Sequence, residues 1–318
     1  MYVKTWLVAL VMGWGCGAPS DVPPDGTTTG DGHITSDGPV DAPPASFAWP
    51  TCGTATFDQT QLYYGHAIAV ASDGTVFHHM SDGGESYISR YRPGQPAEPN
   101  WAHLGPAATS VTGMTTDSAG ALYALIASSN QTQLARVLGG TALAAIGPAV
   151  ASTGGPTSIA FSPDGLLFEA GFQGLARIDL ATGHATTLSQ PVQLRELYFV
   201  GARTARGVSY DHGLVELAID ANATAATYTT LFPFDTIALQ YTGLDQQGRT
   251  YAYLHEMSND KIVRFDPTFA TRETLYMYPS VTFALGTFAF GRGALRCDIL
   301  ITGFSIAHVT ANDTPAVP

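Results

Sequence analysis

An all-β fold built from repeats of one short unit is what the sequence predicts, and three observations predict it. The composition is rich in Gly (34) and Pro (20) and only 13% charged across 318 residues. Long helices draw on Glu, Lys and Leu, which Gly, Thr and Ser outnumber here. A four-residue pattern (aliphatic, small, polar or charged, hydrophobic) recurs as Ile88-Ser89-Arg90-Tyr91, Leu134-Ala135-Arg136-Val137, Leu175-Ala176-Arg177-Ile178, Leu214-Val215-Glu216-Leu217, Ile262-Val263-Arg264-Phe265 and Ile306-Ala307-His308-Val309, in steps of 46, 41, 39, 48 and 44 residues. Upstream of these lie strand-like runs that end in turns at Asp73-Gly74, Ala119-Gly120, Asp164-Gly165 and Gln247-Gly248. Each unit therefore reads strand, turn, strand, polar loop, strand. Residues 51 to 318 divided among six units give about 45 residues each, the length of a four-stranded propeller blade. The expected fold is a six-bladed β-propeller over 51–318, preceded by a signal peptide (1–16) and a disordered linker (17–50).

The N-terminal segment has the layout of an export signal. Lys4 supplies its positive charge, Trp6 to Met12 is an apolar run, and the small residues Gly13 and Gly15 precede Cys16. The run is too short to span a bilayer. The Gly15-Cys16 junction resembles the lipobox of bacterial lipoproteins, although Gly13 stands where that motif usually has Leu. The resemblance implies lipidation at Cys16, a membrane anchor, and, with Gly17 rather than Asp after the cysteine, sorting to the outer membrane or cell surface. An ordinary signal peptide, with a periplasmic or secreted product, is the alternative.

From Gly17 to about Pro50 the composition shifts to Pro, Gly, Thr, Ser and Asp with no Lys or Arg. Such a stretch has too little apolar surface to offset its ordering entropy and reads as a solvated spacer. Its Asp-Gly pairs at 25, 31 and 37 lack the remaining acidic ligands of a calcium loop.

In the third unit, Ile159-Ala160-Phe161-Ser162-Pro163-Asp164-Gly165 is followed by Leu175-Ala176-Arg177-Ile178-Asp179 and Thr182-Gly183. This run resembles a blade of the six-bladed propellers grouped around NHL repeats and the gluconolactonase (regucalcin)-like proteins, and the likeness extends over residues 66–310. The scaffold it implies is shared by binding modules, lactonases and lyases, so it selects no chemistry. The asparagine of the gluconolactonase-like metal site typically lies in a Pro-Asn-Gly segment. Here the matching segment is Pro156-Thr157-Ser158, and Thr157 lacks the amide oxygen.

Three cysteines make an odd count, which resolves if Cys16 carries lipid and Cys52 pairs with Cys297. That disulfide would join the start of the folded domain to its last unit and so the two ends of the ring; two buried thiols are the alternative. Segment Gly53 to Tyr64 is placed to add the outer strand of the last blade.

The charge balance excludes a nucleic-acid partner. Fourteen Lys and Arg stand against 26 Asp and Glu, for a net charge of −12, and no basic stripe is available for phosphates. The Gly-x-Ser-x-Gly elbow, the Walker loop, the dinucleotide fingerprint and His-Glu-x-x-His are all missing from the chain.

Propeller sites gather where the loop between the second and third strands meets the start of the innermost strand. Read on that plan, the loops present His78, His79, Asp82, Glu85, Asn130, Glu169, Asp211, His212, His255 and Glu256. The inner strand starts present His66, Thr112, Thr157, Arg195 and Gln240. Glu169, His255 and Asp211 are the catalytic candidates. His66, Glu169 and His255 are the metal candidates, which could hold one divalent ion if assembled across blades. His78 and His79 are adjacent in a strand and must face opposite sides, so one at most can serve a common ligand. Arg90, Arg136, Arg177 and Arg264 recur at one place in the unit and read as a repeated structural contact. The expected function is a tethered extracytoplasmic module that binds a protein or small molecule at its channel face. A metal-dependent lactonase or lyase is the alternative.

Overall fold

The computed structural model describes residues 56–61, 67–106, 109–128, 131–151, 158–189, 192–233, 238–244, 248–255, 259–279, 288–290, 298–301 and 306–310. All lie within the compact unit Pro39–Pro318. The export signal, the linker, Cys16, Cys52, Cys297, His66, Asn130, Thr157 and Glu256 lie outside the described residues. Among those described, every regular element is a strand, and no helix is long and apolar enough to cross a membrane.

The strands sort into six four-stranded antiparallel sheets. The first holds β2 (Ile68–Val70), β3 (Val76–Asp82), β4 (Glu85–Tyr91) and β5 (Glu98–Pro106). The second holds β6 (Ser110–Thr116), β7 (Leu122–Ser128), β8 (Gln131–Gly139) and β9 (Ala142–Ala151). The third holds β10 (Ser158–Phe161), β11 (Leu167–Gly171), β12 (Gly174–Ile178) and β13 (Ala185–Thr187). The fourth holds β14 (Leu194–Phe199), β15 (Thr204–Ser209), β16 (Gly213–Ile219) and β17 (Ala226–Phe232), and the fifth β18 (Ala238–Leu244), β19 (Thr250–His255), β20 (Asn259–Phe265) and β21 (Arg272–Pro279). In the sixth, β22 (Phe288–Phe290), β23 (Asp298–Ile301) and β24 (Ile306–Thr310) are completed by β1 (Thr56–Gln61) from the other end of the chain.

The recurring four-residue pattern is the third strand of each sheet. The Gly-containing turns join first to second strands, with Gly74, Gly120, Gly165 and Gly248 at φ of 88°, 79°, 84° and 79°. That left-handed backbone is open to Gly without steric cost, which is why the turn glycine repeats with the unit. First strands neighbour one another in the order β2, β6, β10, β14, β18, β22 and back to β2. The sheets therefore close into a ring, the arrangement of a β-propeller. Pairing of Thr56 with Thr310 and of Phe57 with Val309 fastens the N-terminal strand to the C-terminal one.

The core lies between sheets, because alternate residues of each strand face opposite neighbours. In β11, Leu167 packs toward the second sheet with Leu125, Leu134 and Ile159, while Phe168 and Ala170 pack toward the fourth with Leu194, Leu197 and Val215. Burying each of the Leu, Ile, Val and Phe side chains among these contributes about 1.5–3 kcal/mol. Inner strands of adjacent sheets do not pair, and side chains bridge them instead. Thr116 Oγ1 donates to the Val70 carbonyl at 3.2 Å, Ser158 Oγ accepts from Leu197 N at 3.3 Å, and Glu196 Oε2 accepts from Thr242 N at 2.8 Å.

Three of the recurrent arginines make polar contacts outside their own strand. Arg90 meets Glu98 on the fourth strand at 2.8 Å, and Arg264 meets Glu273 at 2.6 Å. Arg177 donates to the carbonyl of Asn222 in the next sheet at 3.3 Å. In the fourth sheet Glu216 takes the arginine's place and pairs with Arg206 on β15 at 2.9 Å.

Candidate functional site: an aromatic stack at the loop end of the ring

In an antiparallel meander, the start of the first strand, the end of the second and the start of the third share one end of the sheet. At that end the register of three inner strands shifts by one residue: at Thr112 between Val111 and Gly113, at Arg195 between Leu194 and Glu196, and at Gln240 between Leu239 and Tyr241. Bulges of this kind re-aim a side chain out of the regular alternation. They fall on three of the positions that the sequence marked as inner strand starts.

In the fourth sheet, the bulge residue Arg195 places its guanidinium carbon 4.6 Å from the centre of the Tyr210 ring. Phe172, from the third sheet, stacks on the same ring at 4.5 Å and 18°. The Tyr210 ring is thus contacted by a cation and by a phenyl ring.

Local sequence fixes both aromatics. Gly171 pairs with Gly174 around the two-residue turn Phe172-Gln173, and Gly174 adopts a φ of 94°. Tyr210 lies in the turn between Ser209 and Gly213, where Ser209 Oγ accepts the backbone N–H groups of Asp211 and His212, each at 3.2 Å. Tyr210 N also donates to the Gln193 carbonyl at 3.2 Å, tying the turn to the start of β14. Phe172 remains 39% exposed although it is stacked. The Tyr210 hydroxyl is buried without a hydrogen-bond partner, and burial pushes its pKa up against the opposing charge of Arg195.

Several sequence-predicted site residues sit in strands rather than in loops. His78 and His79 lie within β3, Glu169 within β11, and His255 is the last residue of β19. The two histidines face opposite ways, as adjacent strand residues must. His79 Nε2 is 2.9 Å from Ser86 Oγ. His78 lies on the face of Ile68 and Val76, toward the sixth sheet, and its Nε2 is buried without a partner. Burial, and then the neighbouring His79, lower its pKa from 6.5 to about 3, so its imidazole is neutral at physiological pH.

Glu169 pairs in register with Ile159 and Ala176 and shares the face of Leu167, toward the second sheet. It is half-buried, and that burial raises its carboxyl above the ordinary range. Asp211 is exposed at the turn beside Tyr210. His212 meets Tyr228 at the outer strand, Nε2 to hydroxyl 3.0 Å, and Glu85 meets His103 at 2.9 Å on the outer part of the first sheet. Among the described residues no three His, Cys, Asp or Glu side chains converge as metal ligands. Of the metal candidates only the Glu169 side chain is described; those of His66 and His255 lie outside the described set.

Sequence reasoning picked out Arg195, Asp211 and His212 but passed over Phe172 and Tyr210. A signal was present. Two-residue hairpin turns favour Gly, Asn and Asp, and Gly171-Phe172-Gln173-Gly174 places a phenyl ring at the tip.

No protein-family model matches the chain, and no curated protein matches it. Solved structures do. One described as a gluconolactonase superposes with a TM-score of 0.59 at 13% identity, over 84% of this chain and 96% of that one. Virginiamycin B lyase from Staphylococcus aureus superposes with a TM-score of 0.52 at 11% identity, over 81% of this chain and 99% of the lyase. At such identities the likeness is one of fold: this chain is similar to both in being a β-propeller.

Proposed function

We propose that the chain is an exported, membrane-tethered β-propeller that binds a ligand at the loop end of its ring. The observation that carries this reading is the Arg195–Tyr210–Phe172 stack. A half-buried arginine–tyrosine pair contacts an exposed phenyl ring at the tip of a tight turn, at the end where inner strands bulge. The tether rests on the signal-like run before Cys16 and the acidic spacer behind it, which together suit an outer-membrane or cell-surface lipoprotein. The experiment is a ligand-detected NMR screen of a neutral metabolite collection against the wild type and Phe172→Ala. Ligands lost with the ring support the reading, and identical profiles overturn it.

A metal-dependent hydrolase or lyase is the second reading, favoured by Glu169. Its half-buried carboxyl holds a proton more firmly than an ordinary glutamate, which suits a general acid. The likeness to the two superposed structures is one of fold, so the scaffold itself favours neither reading. Metal content of protein purified without chelator separates the two. One tightly held divalent ion per chain supports the enzyme; a chain that takes up no calcium, magnesium or zinc in calorimetry leaves the binding reading.

A further inference from the structure

We propose that the outer strand of the second sheet, β9, is a self-association edge: two copies of the chain pair antiparallel along Ala142–Ile146, across a two-fold axis at Ala144. This surface is separate from the aromatic stack and does not rest on the ligand reading above.

This strand is apolar from end to end. No charged residue lies between Arg136 and Asp164. Among the described outer strands, β1, β5, β13, β17 and β21 each carry a charge or a hydroxyl, and β9 carries neither. From Ala142 to Val150 every residue but Ile146 is exposed. Leu138 and Val150 are 55% exposed and Leu143 36%, three large apolar side chains on one hairpin, whereas Tyr91, Phe172, Tyr228 and Met277 stand one to a sheet. One edge of β9 pairs with β8; the other meets no strand among the described residues, and so presents unpaired backbone N–H and C=O groups. The charges, prolines and bulges that usually blunt such an edge are missing from Ala142–Ile146 itself. They begin only at Gly147-Pro148, where the register with β8 shifts and the proline lacks an N–H.

The chemistry of this edge selects its occupant. A lipid surface covers apolar side chains but leaves backbone donors and acceptors unbonded, whereas another strand bonds them. A second copy of the same edge also matches it side chain for side chain. With Ala144 on the axis all five rungs are used, Leu143 stands opposite the partner's Ala145 and Ile146 opposite the partner's Ala142, so each large residue meets an alanine, as interdigitating layers require. Charge agrees. The chain carries −12 overall, and two copies of an acidic protein meet most favourably where neither presents a carboxylate. Five residues of edge span only about 17 Å. A contact so much smaller than the roughly 800 Å² per partner of a standard complex makes a weak dimer, with a Kd of about 0.1 mM.

Ala144→Cys is the direct test, because residues opposite one another in an antiparallel pair stand about 4.5–5.5 Å apart at Cα, within reach of a disulfide. The exported variant, run without reductant, is expected to give a band of twice the chain's mass that reduction removes. Neither the wild type nor Ala185→Cys should give it; Ala185 is exposed on the outer strand β13 and reports random collision. Sedimentation equilibrium of the full chain should show monomer and dimer in exchange. Ala144→Lys, which sets two like charges on the axis, should weaken the dimer by about tenfold or more. Circular dichroism checks that the variants stay folded, as substitution of an exposed alanine allows. The inference is overturned by a crosslink no stronger than that of Ala185→Cys, by a wild type that stays monomeric at about 1 mM, ten times the expected Kd, or by a dimer that Ala144→Lys leaves unchanged. A mixed disulfide of Ala144→Cys with a different protein overturns the second copy as the occupant. Ligand binding lost in Phe172→Ala is read in a separate screen, so either result there leaves this one standing.

Discussion

Glu196 Oε2 accepts the backbone N–H of Thr242 at 2.8 Å, joining the inner strands of the fourth and fifth sheets where no strand ladder does. Ser158 accepts from Leu197 one seam earlier, so adjacent sheets share a device in which a side chain substitutes for a missing strand partner.

Because Glu196 and Thr242 are both buried, Glu196→Ala strands the Thr242 N–H away from water. The expected cost is about 1–3 kcal/mol, with a smaller loss for Glu196→Gln, which keeps an acceptor oxygen. Urea unfolding midpoints at constant slope measure both.

Acid sensitivity should trace to His78. Its folded pKa lies near 3 through burial and then the charge of His79, while the unfolded chain takes up the proton near 6.5. The unfolded state therefore binds more protons between those values. Stability is full above pH 6.5, falls as pH drops toward 3, and loses nothing further on this account below that. The slope from this one group is at most about 1.4 kcal/mol per pH unit. His78→Phe should flatten the stability profile in that window, and a profile of unchanged slope would remove His78 as the cause.

For Glu169 the sign is the opposite. Its raised folded pKa means that the neutral form is favoured in the fold, so its contribution is full below the ordinary carboxylate pKa and is lost as pH rises through the folded value. Glu169→Gln should match the wild type in acid and exceed it at neutral pH by roughly 1 kcal/mol or less. Retention of every detected turnover in this variant counts against the enzyme reading.

Ring closure should depend on β1. Deleting the chain through Gln61 bares the edge of β24, and the product should self-associate in size-exclusion chromatography. Thr310 pairs with both Thr56 and Asp298, so the backbone nearest Cys52 and Cys297 reaches one end of a single sheet. Peptide mapping of the exported protein without reductant is expected to recover a Cys52–Cys297 linked peptide, a bond worth about 4–5 kcal/mol in the chain-entropy model. Two free thiols would rule it out.

What the sequence determined by itself was local. The pattern from Ile88-Ser89-Arg90-Tyr91 onward marks third strands because alternating burial imposes a two-residue period, and the turn glycines repeat because only their backbone enters the left-handed region without cost. The inner strand starts Thr112, Arg195 and Gln240 were legible as positions for the same reason. Their bulges, and the direction of Arg195, were not, since a bulge depends on register with the partner strand. Only the tertiary structure could bring Phe172 of one sheet onto Tyr210 of the next, 38 positions along the chain. It likewise assigned His78 and Glu169 to seams between sheets instead of loops, because a strand's period says which residues share a face and not which neighbouring sheet that face meets.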